Sequence, residues 1–141
     1  MAMRAREFFR TVRRAENELK ILQAKVRHYE DLGLMITTSG SPGSGQRGAS
    51  RVEMAAVGIV DATASLTDQI REYSAIISRA QTVIDRIPQD RYRQILTFKY
   101  LCGWSFRSIS DELMYENPNS VYRAHGYALH EAQRVLDEMG E

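Results

Sequence analysis

The residues with the greatest capacity for specific chemistry lie near the end of the chain, between Pro118 and Leu136. Read as a helix, this segment places small apolar residues on one side and turns polar and aromatic residues outward. The candidate binding residues are Asn119, Ser120, Tyr122, Arg123, Gly126 and Tyr127. Their amide, hydroxyl and guanidinium groups can form hydrogen bonds with base edges or phosphates. We find no histidine-backed nucleophile, paired carboxylates or metal-ligand cluster in the sequence, so we expect no enzyme, no metal and no cofactor.

Two further features of this segment concern its packing. Gly126 costs a helix about 1 kcal/mol relative to alanine, so a neighbouring helix or a phosphate backbone must require the missing side chain. His125 follows Val121 by four residues and therefore lies about 40° from that core position. We expect His125 to be packed and hydrogen-bonded within the fold, and His130 to point outward.

The rest of the chain limits the classes of protein to consider. With 141 residues it can form one domain, or a small domain with a helical extension. Its formal net charge of +1 gives no overall preference for nucleic acid or membrane. No apolar run approaches the roughly 20 residues of a membrane span, and the single cysteine, Cys102, excludes an internal disulfide. We expect a cytoplasmic protein without membrane contact, in which Cys102 is a small buried residue.

Two heptad seams precede the C-terminal segment and predict long helices. The first seam consists of Phe8, Val12, Ala15, Leu19, Leu22, Val26 and Tyr29. The second consists of Ala56, Ile59, Thr63, Leu66, Ile70, Tyr73, Ile77, Ala80, Ile84 and Ile87. The first helix is also basic at its start, where Arg4, Arg6, Arg10, Arg13 and Arg14 can either contact phosphates or form a solvated flank.

A stretch rich in glycine and serine, TTSGSPGSGQRGAS, separates the two seams and predicts a flexible linker. Ser50 and Glu53 have the spacing of a capping box and predict the start of the second helix. The chain then divides into a heptad helix over 1–36, a linker over 37–50, a second heptad helix over 51–87 and a C-terminal domain over 88–141. The two helices fold back most simply as an antiparallel hairpin, and a parallel homodimeric coiled coil is the alternative.

The C-terminal domain begins with a helix near Pro88 that Gly103 ends. Ser105 is the expected cap of a short helix, and Asn117 with Pro118 marks the start of the last one. The inward residues of the last helix are Val121, Ala124, Ala128 and Ala132. Two helices joined by a short turn predict a helix-turn-helix, so the fold class is all-α: a coiled-coil-like N-terminal hairpin followed by a helix-turn-helix domain.

The stretch IPQDRYRQILTFKYLCGWSFRSISDELMYENPNSVYRAHGYAL, residues 87–129, resembles region 4 of the sigma-70 family. Its SVYRAHGYAL segment is more similar to phage-encoded transcriptional activators of the RinA and ArpU kind and to related uncharacterised phage proteins. The positions that match the sigma pattern are Pro88, Tyr100, Gly103, Ser105, Ile109, Leu113, Val121 and Ala128. The resemblance implies a sequence-specific regulator of phage late or packaging genes, acting on double-stranded DNA with host RNA polymerase in the bacterial cytoplasm.

The resemblance has limits that bear on function. The turn between Leu113 and Val121 is one residue longer than is usual in sigma factors, and Tyr122 replaces a basic residue. The chain also lacks an obvious region 2, which melts DNA, so it should not act as a complete sigma factor. Because few cations lie near the last helix, we expect weak DNA binding unless the chain forms a homo-oligomer, with a dimer favoured, through its heptad helices. The alternatives are a DNA-packaging recognition protein like a small terminase subunit, and a helix-turn-helix protein–protein adaptor.

Overall fold

Helices form the whole regular structure of the residues that the computed structural model describes, which are residues 2–38 and 46–140. They are, in chain order, α1 (Ala2–Thr38), α2 (Gln46–Asp85), α3 (Asp90–Leu96) with a π-helical turn (Thr97–Leu101) that continues it, α4 (Phe106–Glu112) and α5 (Pro118–Glu138). The expected all-α class is therefore confirmed. No described helix combines the length and the apolar character that crossing a membrane requires.

Two helix boundaries differ from the expected ones. α2 begins at Gln46, so Ser50 and Glu53 lie inside the helix and do not cap it. The capping-box prediction was wrong because the residues before Ser50 continue the helix, and a capping motif marks a boundary only where the chain leaves helical geometry. Thr37 and Thr38 at one end of the expected linker and residues 46–50 at its other end are also helical, and residues 39–45 lie outside the described residues.

The connection between α2 and α3 surrounds Pro88. The last turn of α2 closes with a hydrogen bond from the Ile87 amide to the Ile84 carbonyl (3.0 Å). Gln89 is extended at the N-cap position of α3, without a side-chain capping bond, and α3 begins at Asp90, near Pro88 as expected. Arg93 donates to the Ile87 carbonyl and pairs with Asp90, so its side chain links α3 to the residue before the proline.

The chain divides into two compact units. One unit contains residues 1–17 together with 74–141, and the other contains residues 18–73. The first unit therefore takes in the start of α1 and the end of α2 as well as the C-terminal helices. In the second unit, the buried apolar side chains include Leu22 and Leu66, which are both predicted seam positions.

The first unit has a continuous core to which every long helix contributes. Its fully or nearly fully buried members include Phe9 and Val12 of α1, Ile84 of α2, Ile87 of the connection that follows, Leu96 of α3, and Leu129, Val135 and Leu136 of α5. Burying each such side chain stabilises the fold by about 1.5–3 kcal/mol. The heptad seam identified Val12, Ile84 and Ile87 but missed Phe9, which stacks on Tyr100 with 4.9 Å between ring centroids.

Candidate nucleic-acid interface

The start of α5 is fixed by local capping. Asn117 has an extended backbone, and its side-chain oxygen accepts a hydrogen bond from the Ser120 amide (3.2 Å). Pro118 occupies the first turn, where a missing N–H group costs nothing. The expected cap and start are confirmed, and they determine which α5 residues face the core.

One side of α5 is completely buried. Val121, Ala128 and Ala132 have no exposed surface, as the sequence predicted. Both α3 and α4 pack against α5. Val121 forms a small apolar core with Ile95 of α3 and Ile109 of α4, and Ala124 packs partly buried against it. The small side chains allow neighbouring helices to approach α5 closely, so its opposite side has a defined orientation.

The opposite side of α5 carries the candidate binding residues. Five of the six are exposed, namely Asn119, Tyr122, Arg123, Gly126 and Tyr127. Tyr122 is 55% exposed and Tyr127 60%, which is high for aromatic side chains. Ser120 is half-buried, and its amide is used by the cap. His130 lies on the same exposed side, as expected.

Gly126 lies in open space. A Cβ atom added there would meet no other part of the described chain within 4 Å. Of the two expected reasons for this glycine, a neighbouring helix among the described residues does not account for it. The other reason, close approach of a phosphate backbone, stays a prediction.

An aromatic cluster, made of Tyr100, Phe106, Tyr122 and His125, anchors the exposed side to the core. The Phe106 ring lies 4.3 Å from the Tyr122 ring and 4.9 Å from the His125 ring, centroid to centroid. The Lys99 ammonium lies over the Phe106 ring, 4.2 Å from the ring centroid. Tyr122 is thus exposed at its tip but held by its ring, which limits the conformations that it can adopt.

His125 is packed and hydrogen-bonded, as expected. Its Nε2 atom lies 2.7 Å from the Tyr100 hydroxyl in a buried position. Burial, together with the smaller effects of the Arg6 and Lys99 charges, lowers the pKa of His125 from 6.5 to about 4. Burial also raises the pKa of Tyr100, against the opposing effect of Arg6 and Arg10. Near neutral pH both groups are therefore uncharged, and the hydrogen bond joins a neutral imidazole to a neutral hydroxyl.

The connection from α4 to α5 is fixed by caps and by one arginine. Ser105 caps α4 by accepting from the Ser108 amide (3.1 Å), as predicted. Met114 adopts a left-handed backbone conformation (φ 61°) in the turn after α4. Arg91 of α3 donates to the Leu113 carbonyl (2.8 Å) and lies over the Tyr115 ring at 5.2 Å. Sequence reasoning missed Arg91 because its two partners are distant along the chain.

The end of the π-helical turn corrects one prediction and supports others. Cys102 is exposed, so the prediction of a buried cysteine was wrong. Its amide closes the last π-helical hydrogen bond, to the Thr97 carbonyl (3.0 Å), and the side chain then leaves the core. Gly103 has a left-handed backbone (φ +74°), as predicted, and a Cβ there would collide with the Arg13 guanidinium. Trp104 is half-buried and stacks on Phe98 with 4.3 Å between ring centroids.

Within the described part of the chain, no three histidine, cysteine, aspartate or glutamate side chains are grouped so as to hold a metal ion. The chain matches no protein-family model, and searches of curated proteins and of solved structures also found no match.

Proposed function

We propose that the chain is a sequence-specific DNA-binding regulator of transcription, in which α4 and α5 form a helix-turn-helix and α5 is the recognition helix. The observation that carries the proposal is the two-sided character of α5. Its alanine-lined side is buried, while five hydrogen-bonding, aromatic or glycine positions face solvent together. A surface of this kind has no evident use within the chain itself.

The exposed side of α5 carries hydrogen-bonding groups of the kinds that contact DNA in the major groove. That groove is about 12 Å wide and admits one α-helix. Arg123 is proposed to bind a guanine edge, and Asn119, Ser120 and Tyr122 to contact bases or phosphates near the helix N-terminus. Gly126 would then allow the sugar–phosphate backbone to approach α5 closely, and Tyr127 would lie beside it. Open space around Gly126 supports this assignment.

The resemblance to sigma-70 region 4 and to phage activators extends the proposal to a cellular role. It suggests regulation of phage late or packaging genes together with host RNA polymerase, in the cytoplasm of the host. On this view residues 88–141 form the region 4-like domain, and the two long helices form a hairpin.

We also propose that two copies associate through the long helices. Within the unit formed by residues 18–73, three apolar side chains of α2 are largely exposed: Met54, Val57 and Val60. Successive apolar residues on one side of a helix favour a protein interface. A dimer would place two copies of α5 on two half-sites, which would increase a weak single-copy affinity.

The experiment is selection of binding sequences from a random duplex library, followed by titration of the selected site. Arg123→Ala should cost about 1–3 kcal/mol of specific binding and should relax the preference at one base position. The matched control is Arg71→Ala, which removes an exposed arginine from α2 with only a 4.0 Å pair to Asp68. Failure of the wild-type chain to enrich any sequence, alone or with RNA polymerase, would refute the proposal.

A further inference from the structure

The start of α1 packs against the elements that orient α5. The Ala5 amide donates to the Gln133 side-chain oxygen of α5 (2.9 Å). Phe9 stacks on Tyr100, and Arg13 donates to the Tyr100 carbonyl (3.4 Å). These three α1 residues recur every four positions and therefore share one side of the helix. That side faces α5 and the π-helical turn.

Arg6 and Arg10 lie on the flank of this contact side. Each directly follows a contact residue, and with Arg13 they have the i, i+4, i+7 spacing of a single stripe. Both are exposed, and neither forms an ion pair with a described residue. Arg4, by contrast, pairs with Asp137 (3.5 Å). The charge of Arg6 acts on both His125 and Tyr100, and that of Arg10 on Tyr100, which agrees with their position beside the aromatic cluster.

Positive charge exceeds negative charge at this place, even with Arg4 paired to Asp137. Residues 1–17 contain five arginines against two glutamates. Lys99 adds a further cation beside Phe106, whose ring contacts Tyr122 on the exposed side of α5. Concentrating like charges destabilises a fold unless anions neutralise them. Between Pro118 and His130, by contrast, Arg123 is the only lysine or arginine in the sequence of α5. The start of α1 and the π-helical turn thus carry cations that α5 lacks.

We propose that Arg6 and Arg10 bind phosphates of the DNA strand that borders the groove occupied by α5. This inference rests on the proposed function and adds to it a second, sequence-independent part of the interface. A helix in the major groove has a phosphate backbone on each side of it. Phosphodiester oxygens are the anions that guanidinium groups bind best, and such contacts position a protein without reading bases.

The test compares salt dependence in matched variants. Arg6→Gln/Arg10→Gln removes two charges from the stripe, and Lys20→Gln/Arg27→Gln removes two exposed charges from the part of α1 in the other unit. Each phosphate contact contributes about 0.9 to the slope of log affinity against log salt. The stripe variant should therefore show a slope shallower by about 1.8 on both the selected site and a random duplex, with its base preference intact. The control variant should keep the wild-type slope, and Arg6→Lys/Arg10→Lys should largely restore it.

A second measurement tests the position of the stripe without DNA. Arg6→Gln should raise the pKa of His125 from about 4 towards 6.5 in a titration followed by NMR, whereas Lys20→Gln should not. If the wild-type chain binds DNA but the stripe variant keeps its slope, or the control loses as much, this inference alone is overturned. If the wild-type chain binds no DNA, the proposed function fails together with it. A thermal melt identical to wild type shows that the stripe variant is folded.

Discussion

At the scale of single residues, the buried pair of Tyr100 and His125 links the π-helical turn to α5. Its hydrogen bond joins the Tyr100 hydroxyl to Nε2 of His125 in a buried position. Desolvation opposes the charged imidazole most, and the nearby Arg6 and Lys99 oppose it further. Protonation would place a third cation beside two others with little access to water. The native structure is therefore more stable when His125 is neutral.

We predict that the free energy of unfolding falls as the pH is lowered from about 6.5 to about 4. The pKa of His125 is about 4 in the folded chain and 6.5 when the residue is solvated, so the unfolded state binds more protons in this interval. The contribution is fully present above pH 6.5, decreases through the interval and is lost below pH 4. Its size is up to about 3 kcal/mol, from 1.36 kcal/mol per pH unit of displacement. Urea unfolding at several pH values measures it.

The control for this prediction is His125→Gln, which keeps a neutral acceptor for the Tyr100 hydroxyl. Carboxylates also titrate at the acid end of the interval, and the variant retains all of them. The difference between wild type and variant therefore isolates the imidazole. If the two curves run parallel from pH 6.5 to 4.5, His125 is not held neutral by its surroundings.

At the scale of elements, α5 has two sides with opposite tolerance of substitution. Gly126→Ala should stabilise the fold by up to about 1 kcal/mol, because a Cβ there meets open space and alanine favours a helix. The same change should weaken DNA binding if a phosphate backbone approaches Gly126. Ala128→Leu should instead cost about 1–3 kcal/mol, because Ala128 is completely buried among packed helices. Melting curves and binding titrations of both variants measure these effects.

Tyr127→Leu provides the matched control for the buried side, because it introduces leucine at the neighbouring, exposed position of the same helix. It should leave the melting temperature within the small range of surface substitutions. If Ala128→Leu were as stable as Tyr127→Leu, the buried side of α5 would be assigned incorrectly.

The helices that could be predicted from sequence are those whose ends carry local signals. Asn117, Pro118 and Ser105 determine the starts of α4 and α5 through bonds within three residues, so their types and spacing were sufficient. The start of α2 was not predictable from Ser50 and Glu53, because a favourable cap does not force a helix to begin. The π-helical turn was not predicted, since it differs from an α-helix in which backbone groups are hydrogen-bonded and not in a pattern of side chains.

The candidate binding residues on α5 could likewise be placed from helical periodicity, whereas the contacts that orient α5 could not. Phe9 was missed because the seam was drawn through Phe8, whereas Phe9, three residues before Val12, packs with Val12 in the same core and on Tyr100. Arg91 and Gln133 were missed because their partners are 22 and 128 residues away along the chain. Long-range pairs of this kind depend on the fold and have no local pattern.

At the scale of the whole molecule, the start of α1 is part of the same core as the C-terminal helices. Ala5, Phe9 and Val12 are completely buried there. A C-terminal fragment beginning at Pro88 would therefore expose the surfaces that those residues cover. The same arrangement brings the arginines of α1 to the side of α5, so the first and last helices jointly determine the proposed interface.

Association is the remaining property at this scale, and we predict a dimer through α2. Met54, Val57 and Val60 are 72%, 60% and 65% exposed, and their spacing of three residues keeps them on one side of the helix. Light scattering of the wild-type chain should give about 32 kDa, twice its 16.1 kDa. Val57→Lys/Val60→Lys should give the monomer mass, because lysine ammonium groups at a packed interface lose their hydration without a partner.

The lysine variant should still melt as a folded protein, since substitutions at exposed positions change the stability of a single chain little. It should also bind a single half-site normally and a double half-site more weakly than wild type, because only a dimer gains from the second copy of α5. Ser65→Lys/Gln69→Lys, which adds two charges at exposed polar positions further along the same helix, serves as the control and should remain dimeric. A monomeric wild type would contradict the predicted interface. A ring-sized particle would also contradict the predicted dimer. It would favour the alternative of a DNA-packaging recognition protein like a small terminase subunit, which forms rings and recruits a motor.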